Sequence, residues 1–575
     1  MKDNIFYFQQ ELSHLYAERE KFVKKFPKLA PFLAYDSKDP DIERMIENFA
    51  ILTARIHQEM DQNIPHIAES LINIVAPNYT NALPSFCLQE FSFDKDNKET
   101  KVFIPKGSSV KSIPIGKCIC EFKTVYDIYL YPLIINDILL GSDRQYYTMD
   151  LKFEVDRKDL TIKDLNLDKI HLYLGDDIYT SSTLLLYIHL YLKELKLVCL
   201  DTKETFYLNP HNIKPMGLNS QESMLSYNDL GFEAFSLLRE YFFLPEKFNF
   251  VIIEGLDVLE NCKGKCFELE FKFSKALPKN CIFRKEMFSL SMTPIVNIFE
   301  KSAEPLINKH DKDSYRIFID RMQLESYEII QVKQVKAHNS NGERRILKNY
   351  DSFERFGFLQ EEKEEFYSIS NRTNSKGETY KEIEFFSKTS YEETITIDTI
   401  CCNKNLPSKL KIGDINSCDV KSVKTKNVKT PSIMREVLVN GNLLWKLVSM
   451  LSFSYKTMLD KTSFLSVLES YSFVNDAENN EVIKLFKKAI VDIKGRDTYL
   501  VDGIVTKRGI ITTISIKDSE FYSLGLGEIY RFGLVMSRFF ASFASVNSFC
   551  EVEVKCLDSN ETLHYPASFG KKDLI

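Results

Sequence analysis

The sequence has no apolar run long enough to span a membrane, few cysteines, one tryptophan and almost no excess of either charge. The longest apolar stretch, "IYLYPLIINDILL" from Ile128 to Leu140, is cut by Pro132, Asn136 and Asp137, whereas a spanning helix needs about 20 apolar residues in a row. "TLLLYIHLYLKEL", Thr183 to Leu195, is short as well. The opening "MKDNIFYFQQELSHLY" is interrupted by charges and amides before an apolar core of a secretory signal can form. These absences predict a cytosolic chain with no direct membrane insertion.

The formal net charge is −6 over 575 residues, and no lysine- or arginine-dense stretch is interleaved with stacking aromatics. A nucleic-acid partner is therefore not expected. The 12 cysteines form only the close sets Cys118/Cys120, Cys262/Cys266 and Cys401/Cys402, and the nine histidines stand apart from one another. A tetrahedral zinc site needs two such pairs, or a pair with closely spaced histidines. No metal site is expected, and the cysteines read as reduced thiols of a cytosolic protein.

What is present is a large folded chain. Its length suggests about three or four domains, and an apolar share of 44% with 27% charged residues excludes wholesale disorder. Near the N-terminus Ile5, Phe8, Leu12, Leu15, Phe22, Phe26 and Leu29 recur at intervals of three and four, which predicts a long amphipathic helix ended or kinked by Pro27. A second helix follows "DSKDPD", with the stripe Ile42, Met45, Ile46, Phe49, Leu52, Ile56 and Met60. Two such helices form no complete domain. They need a surface to cover them, either the body of their own chain or another chain.

From about Pro84 the apolar period shortens to two. "SFCLQEFSFD", "KVFIPKGSSV" with Gly107 at its corner, "KFEVD", "KIHLYLG", "FNFVIIEGL" and "CFELEFKFS" all read as strands. The polar tract "LQEEKEEFYSISNRTNSKGETYKE" and the basic run "KSVKTKNVKTPS" read as solvated loops. Helical character returns in "GNLLWKLVSMLSFSYKTML" and "NEVIKLFKKAIVDI", followed by the strand "GIITTISI" and a helix from about Glu528 to Ser545. The expected fold is α+β and multidomain: an N-terminal helical arm (1–82), a β-rich middle (83–310), a loop-rich β subdomain (311–430) and a C-terminal α/β domain (431–575).

The segment "LGLGEIYRFGLVMSRFF", Leu524 to Phe540, raises the question of a phosphate-binding turn. A dinucleotide fingerprint needs G-x-G-x-x-G, and the third glycine here is misplaced: Gly525, Gly527, then Gly533. A Walker loop needs Lys-Ser/Thr after its glycines, where this chain has Glu528 and Ile529. Glu528 would repel phosphate and instead complements the helix dipole. Serine-hydrolase, zinc-protease and EF-hand motifs are missing too, so no cofactor and no catalytic residue is expected. Gly525 and Gly527 are expected to turn the chain, and Gly533 to permit close helix packing.

Several stretches in order resemble one family, the TssF baseplate wedge subunits of bacterial type VI secretion systems. They are "FYFQQELSHLYAEREKFVKKFPKLAPFL", "DPDIERMIENFAILTARI", "LPSFCLQEF", "IKPMGL", "LLREYFFLPEKFNFVIIEGL", "TPIVNIFEKSAEPL", "LWKLVSMLSFSY" and "GLGEIYRFGLVMSRFFASFASVNSFCEVEV". The chain departs from the pattern at Ala76, at Ser454 and at "YPASFG", Tyr565 to Gly570, where the family tends to Trp-Pro-Pro-Arg-x-Gly. It is thus similar to a divergent branch. The resemblance implies an architecture like that of contractile-phage wedge proteins and a structural, non-enzymatic role at the cytosolic side of the cell envelope. It also implies partners: TssG, with two TssF copies per TssG, a second TssF copy, TssK, TssE, and a VgrG hub from which the Hcp tube grows. Phe8, Leu12, Leu15, Phe22, Ile42, Met45, Phe49 and Leu52 are then the candidate partner interface. The competing readings are a nucleotide- or phosphate-binding enzyme centred on Gly525 and Gly527, and an unrelated β-rich protein-binding module.

Overall fold

A computed structural model describes residues 4–25, 44–54, 81–94, 98–143, 145–224, 233–339, 343–350, 365–373, 379–386, 392–435, 455–471, 477–502, 505–545 and 548–570. The chain divides into two compact units. One comprises Met1–Ile74 with Val439–Leu451, the other Val75–Leu438 with Ser452–Ile575.

In the first unit the helix α1 spans Asn4–Lys25 and closes on Lys24 and Lys25, cations that suit a helix C-terminus. Residues 44–54 form α2. Pro27, the predicted stop, and Ile42, Ile56 and Met60 of the second helix's predicted stripe lie outside the described residues, as does most of "GNLLWKLVSMLSFSYKTML".

The second unit is α+β and rich in sheet. A six-stranded sheet takes Phe86–Phe93, Ser109–Ile115, Cys118–Thr124 and Met292–Val296, then adds Ile415–Cys418 and Val423–Asn427 at its edges. The last of these lies in the basic run read as a loop. It is a strand because Thr425 and Asn427 turn inward while Lys424 and Lys426 pair outward with Asp94 and Glu90. An eight-stranded sheet joins Phe299–Ser302 to Glu393–Cys402 and Glu328–His338, and continues into Phe366–Thr373 and Thr379–Phe386. Those two strands occupy the polar tract also read as a loop. Tyr367 and Ile383 are buried beneath its charged residues, and this sparse alternation is enough to anchor a hairpin. Both sheets draw strands from either side of residue 310, and the six-stranded one brings Val423–Asn427 back to pair with Phe86–Phe93.

Two further sheets matter below. A five-stranded antiparallel sheet comprises β1 (Leu133–Ser142), β2 (Tyr147–Val155), β3 (Leu192–Cys199), β4 (Thr205–Leu208) and β5 (Cys266–Phe273), in the order β4-β3-β5-β2-β1. Its inner face is fully apolar, with Met149, Leu151, Phe153, Leu195, Leu197, Phe267, Leu269 and Phe271 all at zero exposure. A four-stranded sheet comprises β6 (Ile490–Asp502), β7 (Val505–Ile516), β8 (Ser548–Cys556) and β9 (Thr562–Phe569), with β7 and β8 parallel. Helices of this unit include α3 (Ile178–Leu186), α4 (Glu233–Phe243), α5 (Ala477–Ala489) and α6 (Gly525–Ala541). The last begins three residues before the Glu528 start read from sequence and ends before Ser545.

Candidate protein-protein interface

The described part of α2 divides its apolar residues between two faces. Ala50 and Ala54 are buried and Ile46 is half-buried, on the i, i+4 spacing of one face. Met45, Phe49 and Leu52, at i, i+4 and i+7, form a second row that is 71%, 55% and 57% exposed, with Ile51 exposed beside it. The single stripe read from sequence is therefore two rows. Small residues face inward and large ones point outward, the reverse of what a helix closed on its own body requires. On α1, Phe8, Leu12 and Leu15 are half-buried and Glu11 is buried. Ile42 and the side chain of Phe22 lie outside the described residues. Burying each of the large outward side chains would be worth about 1.5–3 kcal/mol.

The glycine segment has a different use. Gly525 has φ +78°, a left-handed conformation open chiefly to glycine, and a Cβ there would meet the Tyr179 ring at 2.8 Å. Gly527 lies inside α6 and is no turn residue. A Cβ on it would sit 2.3 Å from the Ser182 carbonyl carbon, so its absence lets α6 cross α3 at backbone contact. A Cβ on Gly533 would lie 2.1 Å from the Tyr565 hydroxyl, which donates to Tyr530 O at 3.0 Å. Protein atoms fill the space that a phosphate cradle would need.

The same helix carries a buried polar network that its apolar pattern conceals. Arg531 and Glu528 are 1% and 3% exposed and paired at 2.5 Å. Arg531 also donates to Asn249 Oδ1 at 2.7 Å and to Pro245 O at 3.2 Å, while the Tyr241 hydroxyl donates to Glu528. Burial works to lower the guanidinium pKa, but the Glu528 carboxylate overrides it and holds the arginine charged. Burial, reinforced by that carboxylate, pushes the Tyr241 phenol well above its usual range. Next to it Lys247 pairs with Glu240, both buried, and Glu240 accepts from Ser223 Oγ at 2.6 Å and from Met224 N at 3.0 Å.

These residues join "LLREYFFLPEKFNFVIIEGL" to "GLGEIYRFGLVMSRFF", the two motifs that stand out most in the sequence. Tyr241, Glu240, Lys247, Asn249 and Arg531 were not singled out from sequence. The available signal was the placement of Arg, Glu and Lys within otherwise apolar, aromatic runs, where an isolated charge is costly and a paired one is expected. The network has neither a nucleophile beside a base nor a cleft. It is a clamp holding α6 to α4 and to the 3-10 turn Pro245–Phe248.

Among the described residues no group of three or more histidine, cysteine, aspartate or glutamate side chains is placed to hold a metal ion, and no helix is long and apolar enough to cross a membrane. A polar cleft bordered by Arg316, Tyr327, Lys381 and Lys404 has a volume of about 40 Å³, room for a few waters at most. Cys87, Cys401 and Cys402 are fully enclosed, and burial pushes the Cys87 and Cys401 thiols up to about 12.

Comparison with known proteins gives the family. The family model described as "Type VI secretion system, TssF" matches residues 1–572. The type VI secretion system component TssF1 of Pseudomonas aeruginosa is 23% identical over 620 residues, covering 98% of each chain. A chain in the cryo-electron microscopy structure of the type VI secretion system TssK-TssF-TssG baseplate subcomplex superposes with a TM-score of 0.78 at 22% identity, covering 91% of this chain and 98% of that one. A chain of the type VI secretion system baseplate complex superposes with a TM-score of 0.62 at 19% identity over the full length of both. With a family model matched along almost its entire length, and a fold shared with baseplate chains, this chain belongs to the TssF family of type VI secretion system proteins.

Proposed function

We propose that the chain is a structural wedge subunit of a type VI secretion baseplate, acting without catalysis at the cytosolic side of the envelope. Residues 1–82 serve as an arm that enters a helical bundle shared with a TssG-like chain. A TssK-like chain attaches to the resulting wedge. Two copies of this chain per TssG, a TssE link to the sheath, and a ring around a VgrG hub that seeds the Hcp tube complete the assembly. Mechanically, the wedge holds the ring in one arrangement, and a change at its interfaces releases sheath contraction.

The observation that carries this reading is the outward row Met45, Phe49 and Leu52 on a chain whose other large apolar side chains are mostly enclosed in cores. The buried network around Arg531 supports it by giving the body a joint between distant segments.

Co-expression with a TssG-like partner tests the proposal. The expected result is a soluble complex recovered in pulldown, with Phe49→Asp removing the partner and leaving the fold. A soluble monomer that binds no such partner would overturn it.

A further inference from the structure

In the eight-stranded sheet the two-residue strand Tyr315–Arg316 pairs with Thr379–Phe386, which sets Arg316 opposite Glu382 and brings Ile317 N to Lys381 O at 3.0 Å. The half-buried Arg316 guanidinium lies over the Phe318 ring at 5.0 Å and over the Tyr380 ring at 4.2 Å. An arginine held between rings has its flat faces covered, and the donors in the plane of its fork still require acceptors. Arg316 finds none among the described residues. Its Nε is enclosed and has no hydrogen-bond partner. Glu382, its cross-strand neighbour, accepts instead from Ser314 Oγ at 2.8 Å and pairs with Arg372 at 3.5 Å. Arg321, the second cation over Phe318, is paired with Glu304 at 3.0 Å.

The polar cleft opens beside this guanidinium. Lys381, buried, lines it from Thr379–Phe386 and donates to the side-chain oxygens of Asn81 and Asn371 at 3.0 and 2.9 Å. Lys404 lines it from the turn after Glu393–Cys402 and is paired with Glu328 at 3.5 Å. Asp320, the remaining acid of the cleft, accepts from Met322 N at 2.9 Å and from Gln323 Nε2 at 3.1 Å. The described lining therefore holds three cations, Arg316, Lys381 and Lys404, against two carboxylates, Asp320 and Glu328. One negative charge is missing, and the free donors are those of Arg316.

We propose that this cleft takes one carboxylate group, its two oxygens meeting the in-plane donors of Arg316 with Lys404 and Lys381 alongside. A carboxylate is a planar monoanion, so it matches the guanidinium fork and supplies the single charge that is absent. Its head displaces roughly two waters, within the room available. A phosphate brings more charge and more bulk than the cleft calls for. The group could belong to an acidic side chain of a neighbouring protein chain or to a small free carboxylic acid, and the two arms below separate these sources. The site uses no residue of the α2 row, so its failure leaves the wedge proposal standing.

The test uses the full chain co-purified with its TssG-like partner. In the first arm, thermal midpoints are compared in sodium acetate and in sodium chloride of equal ionic strength. In the second, a carbodiimide joins carboxylates to the lysines they touch, and the linked peptides are identified by mass. For a free carboxylate, acetate raises the midpoint by about 1 °C or more over chloride. Arg316→Met abolishes that difference, and Arg316→Lys, which keeps the charge without the fork, retains part of it. For a side chain of a neighbouring chain, acetate has no effect, and peptides link Lys404 or Lys381 to an aspartate or glutamate of that chain. Most of this product is lost in Arg316→Met. Circular dichroism matching the parent shows that the variants are folded. The proposal is overturned if neither the acetate effect nor the cross-link is found, or if Arg316→Met leaves whichever one is found unchanged.

Discussion

Arg531 donates to Asn249 Oδ1 at 2.7 Å across 282 residues of sequence, and that bond ties the C-terminal helix to the segment following α4. Arg531 is also held by Glu528 one helical turn away, and Tyr241 caps the far oxygen of that carboxylate. The chain thus spends its strongest polar contacts on a joint between distant segments.

Replacing Arg531 with methionine leaves Glu528 buried without its cation. Loss of one partner from a buried pair costs roughly 3–5 kcal/mol, whereas removing both charges is often far cheaper. Arg531→Met should therefore be strongly destabilised in denaturant unfolding, and Arg531→Met with Glu528→Gln should regain a large part of the loss.

Gly527 and Gly533 should respond differently to alanine. The Gly527 Cβ would strike backbone at Ser182, which cannot move unless α3 and α6 separate, whereas the Gly533 Cβ would strike the end of the Tyr565 side chain. Overpacking of this kind costs typically about 1–3 kcal/mol. Gly527→Ala should lie at or above the top of that range and Gly533→Ala below it, as read from thermal midpoints of the two variants.

Phe49→Asp should leave stability within about 0.5 kcal/mol, since Phe49 is more than half exposed. Partner affinity should fall by about tenfold or more, because a charge would enter an apolar seam. Leu12→Asp, at a half-buried site, should lower both stability and partner binding. Melting curves together with quantitative pulldown separate the two effects.

Asp150 gives a pH dependence of defined sign. Its folded pKa of about 6 lies above the ordinary carboxylate value of 3.8, so the folded chain holds this proton more tightly than the unfolded chain does. The contribution is fully present below about pH 4 and is lost as pH rises through 6. Glu268 is raised by burial in the same sense. Asp150→Asn should raise the melting temperature at pH 7.5 and reduce the difference between pH 4.5 and pH 7.5. An unchanged difference would show that the carboxylate is well solvated.

Much of the architecture was legible because the periods were clean. "CFELEFKFS" alternates strictly and is β5, and the three-and-four spacing from Ile5 onward is α1. Residues 366–373 and 379–386 were misread because a hairpin anchored by a few inward residues such as Tyr367 and Ile383 has the composition of a loop. Residues 423–427 were misread because their inward positions are Thr425 and Asn427, which composition counts as polar although hydrogen bonds satisfy them inside.

By itself the sequence determined the family, the α+β class and the absence of a working phosphate motif, because each rests on residue order and local spacing. Only the tertiary structure decided what the glycines and charges do. Gly527 admits a crossing helix, Gly533 admits Tyr565, and Arg531 and Tyr241 converge on one carboxylate. Contacts between segments hundreds of residues apart leave no periodicity to read. Which face of α2 turns outward was likewise settled by packing, since an apolar stripe records that a surface must be covered and not what covers it.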